Sequence, residues 1–196
     1  MRRAWPAGVR DNGSGVARAA GQLSSRPLGA GVSKAMARLT EGLYKVRKKD
    51  IRGAGIALAD AFQHDAVWRL FFKADATVDQ RGTLYQSPIR YCSKYGEVYA
   101  TSEQLEGIVA WTPGALADMT IRRVIRSGAL VSGVKALRAC TKLALKQSDI
   151  FKPLEADRRA NMKGRTYIYL VVIGVAAASQ GKGHGKRMVE ALIEKS

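Results

Sequence analysis

The sequence predicts an α/β chain of the α+β kind, a mixed central sheet with flanking helices, and three observations predict it. Residues 167–175, Tyr-Ile-Tyr-Leu-Val-Val-Ile-Gly-Val, form a β-branched and aromatic run of strand length. Its near-continuous hydrophobicity places it at the centre of a sheet, buried on both faces. Residues 95–113 carry strand character on both sides of a polar turn at 101–104, which reads as an antiparallel hairpin ended by Pro113 and Gly114. Apolar residues at helical spacing flank these strands, with Ile51, Ala54, Leu58 and Phe62 on one face before them and Met188, Val189, Leu192 and Ile193 after them.

In chain order, residues 1–42 are rich in Arg, Gly, Ser and Ala, hold only Asp11 and Glu41 as acids, and lack an apolar period. This is the composition of a disordered basic extension. It also suits an organelle-targeting segment, and Met36 offers an alternative start that would remove it. The domain, residues 43–196, opens with a short strand at 44–47, and Asp50 is placed to cap the helix that follows. Gly53 and Gly55 each cost that helix about 1 kcal/mol relative to alanine, so they require close packing as compensation. After the hairpin, residues 119–147 return to helical spacing as two short helices, interrupted at Gly128 and Gly133. Arg122, Arg123, Arg126, Lys135, Arg138, Lys142 and Lys146 decorate this stretch as a solvated basic face. Residues 153–164 read as a charged connector, so that 119–164 form a helical insert.

The 196 residues are 46% hydrophobic, enough for the core of one ordinary domain. No run approaches the roughly 20 apolar residues of a membrane-spanning helix. A soluble, cytoplasmic protein is therefore expected, with organelle targeting by residues 1–42 as the alternative. Cys92 and Cys140 stand far apart without CxxC spacing, and His64 and His184 are the only histidines, so neither a disulfide framework nor a metal centre is expected. The formal charge of +17 exceeds what one small anionic ligand needs and predicts non-specific attraction to nucleic acid or an anionic membrane. The basic residues are not interleaved with aromatics, as a base-stacking surface requires.

Chemistry concentrates near the end of the chain. The 167–175 strand leads through Ala-Ala-Ala-Ser into Gln180-Gly-Lys-Gly-His-Gly185 and then into a helix over 186–195. A helix start leaves outward-pointing N–H groups with partial positive charge, and glycines let a phosphate approach the backbone. Lys182, Lys186 and Arg187 add positive charge suited to a pyrophosphate. A Walker loop is excluded, because Gln180 stands where its first glycine is needed and Arg187 where its Ser or Thr is needed. The dinucleotide fingerprint G-x-G-x-x-G fails at Lys186 or Met188, depending on register.

The pattern that fits is Gln/Arg-x-x-Gly-x-Gly/Ala, met by Gln180, Gly183 and Gly185, with Tyr-Leu-Val-Val-Ile-Gly-Val at 169–175 the matching distance upstream. Strand, loop and helix together resemble the acyl-coenzyme A signature of the GNAT superfamily, and the resemblance runs from about residue 43 to the end. It implies an N-acetyltransferase-like sheet and direct attack of an amine on the thioester of acetyl-CoA, the acyl-donor cosubstrate, in a ternary complex. By position, the backbone N–H groups of Ile173, Gly174 and Val175, at a strand bulge, would polarise the acyl carbonyl and hold the pantetheine arm. Gln180, Gly181, Lys182, Gly183, His184, Gly185 and Lys186 would cradle the pyrophosphate. The turn departs from the family, with Ala176-Ala177 where Asp-Pro is frequent.

The acceptor amine is not specified, and the strand contains no carboxylate to serve as general base. Glu97, Glu106 and His64 are candidates by chemistry alone, each also explicable as an ordinary surface or helix-end residue. The family continues past the position of Ser196 with further strands and a helix. A C-terminally truncated fragment with little transfer activity of its own is therefore expected. The alternative class is a basic, non-catalytic nucleic-acid- or ribosome-associated module, distinguished by a steep fall of affinity with salt.

Overall fold

In the computed structural model the described residues are 42–144 and 147–193, so nearly all of the expected basic extension, and Lys146, lie outside them. The chain builds β1 (Tyr44–Lys45), α1 (Ile51–Ala61), α2 (Ala66–Phe71), α3 (Val78–Tyr95), β2 (Glu97–Ala100) and β3 (Gly107–Pro113). It continues with α4 (Ile121–Arg126), α5 (Ala129–Ala136), α6 (Gln147–Asn161), β4 (Ile168–Val175) and α7 (His184–Ile193). The strands form one sheet in the order β1-β2-β3-β4, with each neighbouring pair antiparallel. The α+β class holds, but the mixed sheet expected from the sequence is wholly antiparallel among the described residues.

Local chemistry explains the starts of α2 and α3. Asp65 accepts from the amides of Val67 and Trp68 at 2.9 and 3.1 Å and starts α2. Thr77 and Gln80 form a reciprocal box at the start of α3, with Thr77 N donating to Gln80 Oε1 at 2.9 Å and Gln80 N to Thr77 Oγ1 at 3.3 Å. Asp50 does not cap α1 as expected. Its carboxylate turns back to accept from Arg47 N at 2.9 Å and Tyr44 Oη at 2.8 Å, tying β1 to the helix entry. Gly128, at φ +73°, divides α4 from α5, whereas Gly133 sits within α5.

The sheet has a different core on each face. α1 and α3 cover one side, where Leu58, Ile89, Val98, Ala100, Ile108 and Ala110 are buried together. α7 covers the other, where Met188 packs with Tyr99, Val109 and Trp111. Of the apolar face expected on α7, Met188 is buried and Leu192 packs against this cluster, while Val189 and Ile193 remain exposed. α1 and α3 approach closely enough that a Cβ on Gly55 would lie 2.5 Å from the Gly82 carbonyl oxygen. That is the compensation the glycine-weakened helix needed.

β4 lies at the end of the strand order rather than at the centre, and its residues are half-buried apart from exposed Leu170. Its hydrophobicity reflects two covered faces, which sequence alone does not distinguish from a central position. Residues 153–164, read as a connector, lie largely within α6, with Pro153 inside the helix. Leu154 of that helix is exposed and Phe151 is half-buried. The helix is held by Arg158, whose guanidinium donates to Asp118 Oδ1 at 2.5 Å and to Tyr167 Oη at 2.9 Å and stacks on Tyr169. Burial acts to raise the Asp118 carboxyl, but the Arg158 hydrogen bond and the charges of Arg159 and Arg158 outweigh it, so it sits below its ordinary value.

The packing gives two glycines opposite signs. Gly55→Ala should lower stability by about 1–3 kcal/mol through overpacking against backbone. Gly133→Ala, whose Cβ would meet only Ser87 Oγ at 3.5 Å, should be neutral or stabilising by up to about 1 kcal/mol. Urea denaturation of both variants checks the contrast, which equal losses would contradict.

Candidate functional site

The site is assembled where β4 ends. Ala176 N donates to Glu106 O at 2.7 Å and Thr101 N to Gly107 O at 3.0 Å, which sets the alternation of the two ladders. Even-numbered residues of β3 bond to β4, and the pairs 108/174 and 110/172 exchange backbone hydrogen bonds. The amides and carbonyls of Ile173 and Val175 therefore face the outer edge of β4, which no strand among the described residues covers. Gly174 must be set apart from them, since its amide is directed at β3. Its lack of a side chain has another cause: a Cβ there would lie 2.9 Å from Leu58 Cδ2 and 3.1 Å from Ala61 Cβ of α1.

β4 has one irregularity, opposite Ala110 and Trp111, where Val171 is the extra residue. The expected bulge at 173–175 is thus displaced towards the start of the strand, and Ile173, Gly174 and Val175 pair regularly with Val109, Ile108 and Gly107. The bulge places Val171 and Val172 together on the α1–α3 side and returns Ile168 to the α7 side, with Ile173 and Val175. Without it the strand would turn Ile168 to the wrong face.

The turn after β4 is held by contacts that its residue types do not advertise. Asp60 of α1 accepts from Ala177 N at 2.6 Å across 117 residues of sequence, while its other oxygen accepts from Gln63 Nε2 at 3.1 Å. Gln180 Nε2 donates to Val175 O at 3.1 Å, folding the loop back along the outer edge of the strand. Gly181 and Gly183 have φ of +76° and +83°, and a Cβ on either would meet no protein atom within 4 Å. Their left-handed backbone demands glycine and leaves the space above the loop open. Gly185 has no such conformation, and its Cβ would touch only Val175 Cγ2 at 3.9 Å.

α7 begins at His184, two residues earlier than the expected 186. Arg187 N donates to Gly183 O at 3.1 Å, so the amides of His184, Gly185 and Lys186 precede the first bonded turn. Gln180, Lys182 and Lys186 are exposed, and Lys186 lies 3.7 Å from Glu190. Arg187 does not contribute a mobile charge to the loop. It donates to Thr101 O at 3.4 Å and to Gly42 O, fastening α7 to the β2–β3 turn and to the entry of β1. His184 is half-buried, and its charge is one of the influences on Glu106.

The general-base candidates are dispersed. His64 is exposed after α1. Glu106 is fixed in the hairpin turn by Ser102 Oγ at 2.6 Å and Thr101 Oγ1 at 3.4 Å, and the Ser102 hydrogen bond foremost holds its carboxyl below the ordinary value. Glu97 lies opposite Trp111 on β2, which places it on the α7 side of the sheet with Ile173 and Val175, 4.0 Å from Lys45 Nζ. Burial pushes the Cys92 thiol up to about 12 and raises that of Cys140, so neither supplies a thiolate nucleophile at neutral pH. No group of three His, Cys, Asp or Glu side chains arranged to hold a metal occurs among the described residues.

No family model and no curated protein matches this sequence.

Asp60 is the positioning residue that sequence reading missed, because nothing local marks an aspartate in the last turn of a helix as a cap for a distant turn. Asp60→Ala should free the Ala177 amide and loosen the loop. Hydrogen exchange should quicken at least tenfold over residues 176–183 while the β2–β3 ladder amides stay protected. Uniform loss of protection would assign Asp60 to global stability instead.

Proposed function

We propose that the chain is an acyl-coenzyme A-dependent N-acyltransferase of the GNAT type, passing an acetyl group from acetyl-CoA to an amine. One observation carries this reading above the rest. A strand edge presenting the Ile173 and Val175 amides runs directly into an open loop with left-handed Gly181 and Gly183, followed by a helix N-terminus. Edge amides and helix-start amides are two donor sets on one path. The second suits a pyrophosphate, and the first suits the amide-bearing arm and acyl carbonyl of the same extended ligand. A simple phosphate would need only the loop.

The element order around the loop supports the same reading: a short first strand, helices, an antiparallel hairpin, and, after the helical insert α4–α6, the signature strand, glycine loop and helix. In the proposed reaction the amine nitrogen attacks the thioester carbonyl, and the negative charge growing on that oxygen is met by the Ile173 amide, while the Val175 amide, about 7 Å further along the same edge, holds the pantetheine arm. The carbon–sulfur bond breaks and coenzyme A leaves as its thiol, carrying the proton that the amine loses. The gain comes from holding both reactants in place and from fixed backbone dipoles, which need no reorganisation during the reaction. Glu97 is the candidate carboxylate on the α7 side, two strands across from β4 at the level of Leu170, so removal of the amine proton by it would run through a chain of water molecules.

The loop's geometry gives a direct test. Gly183→Val forces a β-branched residue into φ +83°, and its side chain would occupy the open space. Calorimetric affinity for coenzyme A should fall at least tenfold, whereas His184→Ala should change it about threefold or less. Equal losses in the two variants would show that the loop does not bind through its backbone.

A further inference from the structure

The outer face of α4 and α5 carries an arrangement that the proposed transfer reaction does not use. Its inner face is anchored: Ala129, Ser132 and Ala136 are buried, Ser87 Oγ donates to Ala129 O at 2.6 Å, and Arg90 Nε donates to Ser132 Oγ at 2.9 Å. The outer face is aliphatic to a degree unusual for a solvated surface. Ile121 is 67% exposed, Val131 60%, Val134 57%, Ile125 55% and Leu137 50%. Interleaved with them are Arg122, Arg126, Lys135 and Arg138, all exposed. No Asp or Glu occurs between Asp118 and Asp149, and no aromatic residue occurs in 119–144.

We propose that this face docks on an anionic lipid bilayer, with the aliphatic side chains entering the headgroup boundary and the basic ones meeting lipid phosphates and carboxylates. The pairing of features selects this occupant. An aliphatic surface rimmed by cations without acids matches an interface that is apolar at depth and negative at its surface. Long Arg and Lys stems can lie along the apolar side chains while their charges reach the headgroups. Nucleic acid would neutralise the cations but leave five aliphatic side chains in water, with no ring among them for bases to stack on.

The chain's own segments fit less well. Residues 1–41 carry seven basic and two acidic side chains, so they are repelled by this face. A second copy meeting the first through the same patch would bring four cations against four. Peripheral docking is compatible with the absence, among the described residues, of any helix long and apolar enough to cross a membrane. The overall charge of +17 would draw the chain towards the same surface from a distance.

Sedimentation of the full chain with vesicles tests the proposal. Vesicles of phosphatidylcholine alone are compared with vesicles containing about one third phosphatidylserine. Binding should be at least tenfold tighter to the anionic vesicles and should weaken in high salt. Arg122→Gln with Arg126→Gln and Arg138→Gln should lower it at least tenfold, and Ile125→Ser with Val131→Ser should lower it by a similar factor. All five positions are exposed, and unchanged thermal melting of both variants confirms intact folds. Equal affinity for the two vesicle types would overturn the proposal. So would anionic-vesicle binding indifferent to the Ile125→Ser, Val131→Ser pair, which would mark simple charge attraction. Binding of an acidic amphipathic peptide or of duplex DNA that is lost with that pair, while vesicle binding is kept, would assign the face to another partner.

Discussion

The structure depends on the close crossing of α1 over β4 at Gly174. A Cβ at Gly174 would lie 2.9 Å from Leu58 Cδ2 and 3.1 Å from Ala61 Cβ, so a side chain there would require Leu58 or the helix to shift, and this contact sets the height of the helix on the sheet. The same turn of α1 carries Asp60, whose carboxylate then falls within 2.6 Å of the Ala177 amide. One helix therefore fixes both the last strand and the turn that follows it. The Gly55–Gly82 approach fixes the position of α1 in its turn, since a bulkier residue at either site would push it away from α3.

From that crossing the candidate site follows in sequence. With Gly174 bonded to β3, strand alternation turns Ile173 and Val175 outward. The capped turn delivers Gln180 to the Val175 carbonyl, and the chain passes through two left-handed glycines into α7. Arg187 then secures that helix to Thr101 and Gly42. The donors near the loop are thus backbone groups held by contacts on three sides, which is the condition for preorganised electrostatic stabilisation. Side-chain charge is secondary here, because Lys182 and Lys186 are exposed and Lys186 is shared with Glu190.

Local signals made the hairpin, the paired short helices and the strand–loop–helix order legible, because each rests on near neighbours in sequence. What sequence reading lost was long-range. The 167–175 run is apolar enough for a central strand, yet its position in the sheet depends on which strands pair, and among the described residues it stands last. Helix α6 escaped because Pro153 and a polar surface hide its period, while its anchor, Arg158 to Asp118, spans 40 residues. Asp50 looked like a cap and became a tether for Tyr44 and Arg47. Gly174 looked like part of the donor set and proved to be a packing residue. Arg187 looked like a free cation and proved to be a clamp. In each case residue type was read correctly, and the partner was decided by tertiary contact.

The central claim is that edge amides of β4 and the glycine loop form one continuous binding path. Backbone amide resonances followed by NMR during titration with coenzyme A test it most directly. The account predicts saturable shifts at Ile173, Val175, Gly181, Gly183 and Gly185, with Gly174 affected less than its two neighbours. Shifts confined to the basic residues of α4 and α5, or spread evenly over the surface without saturation, would contradict it.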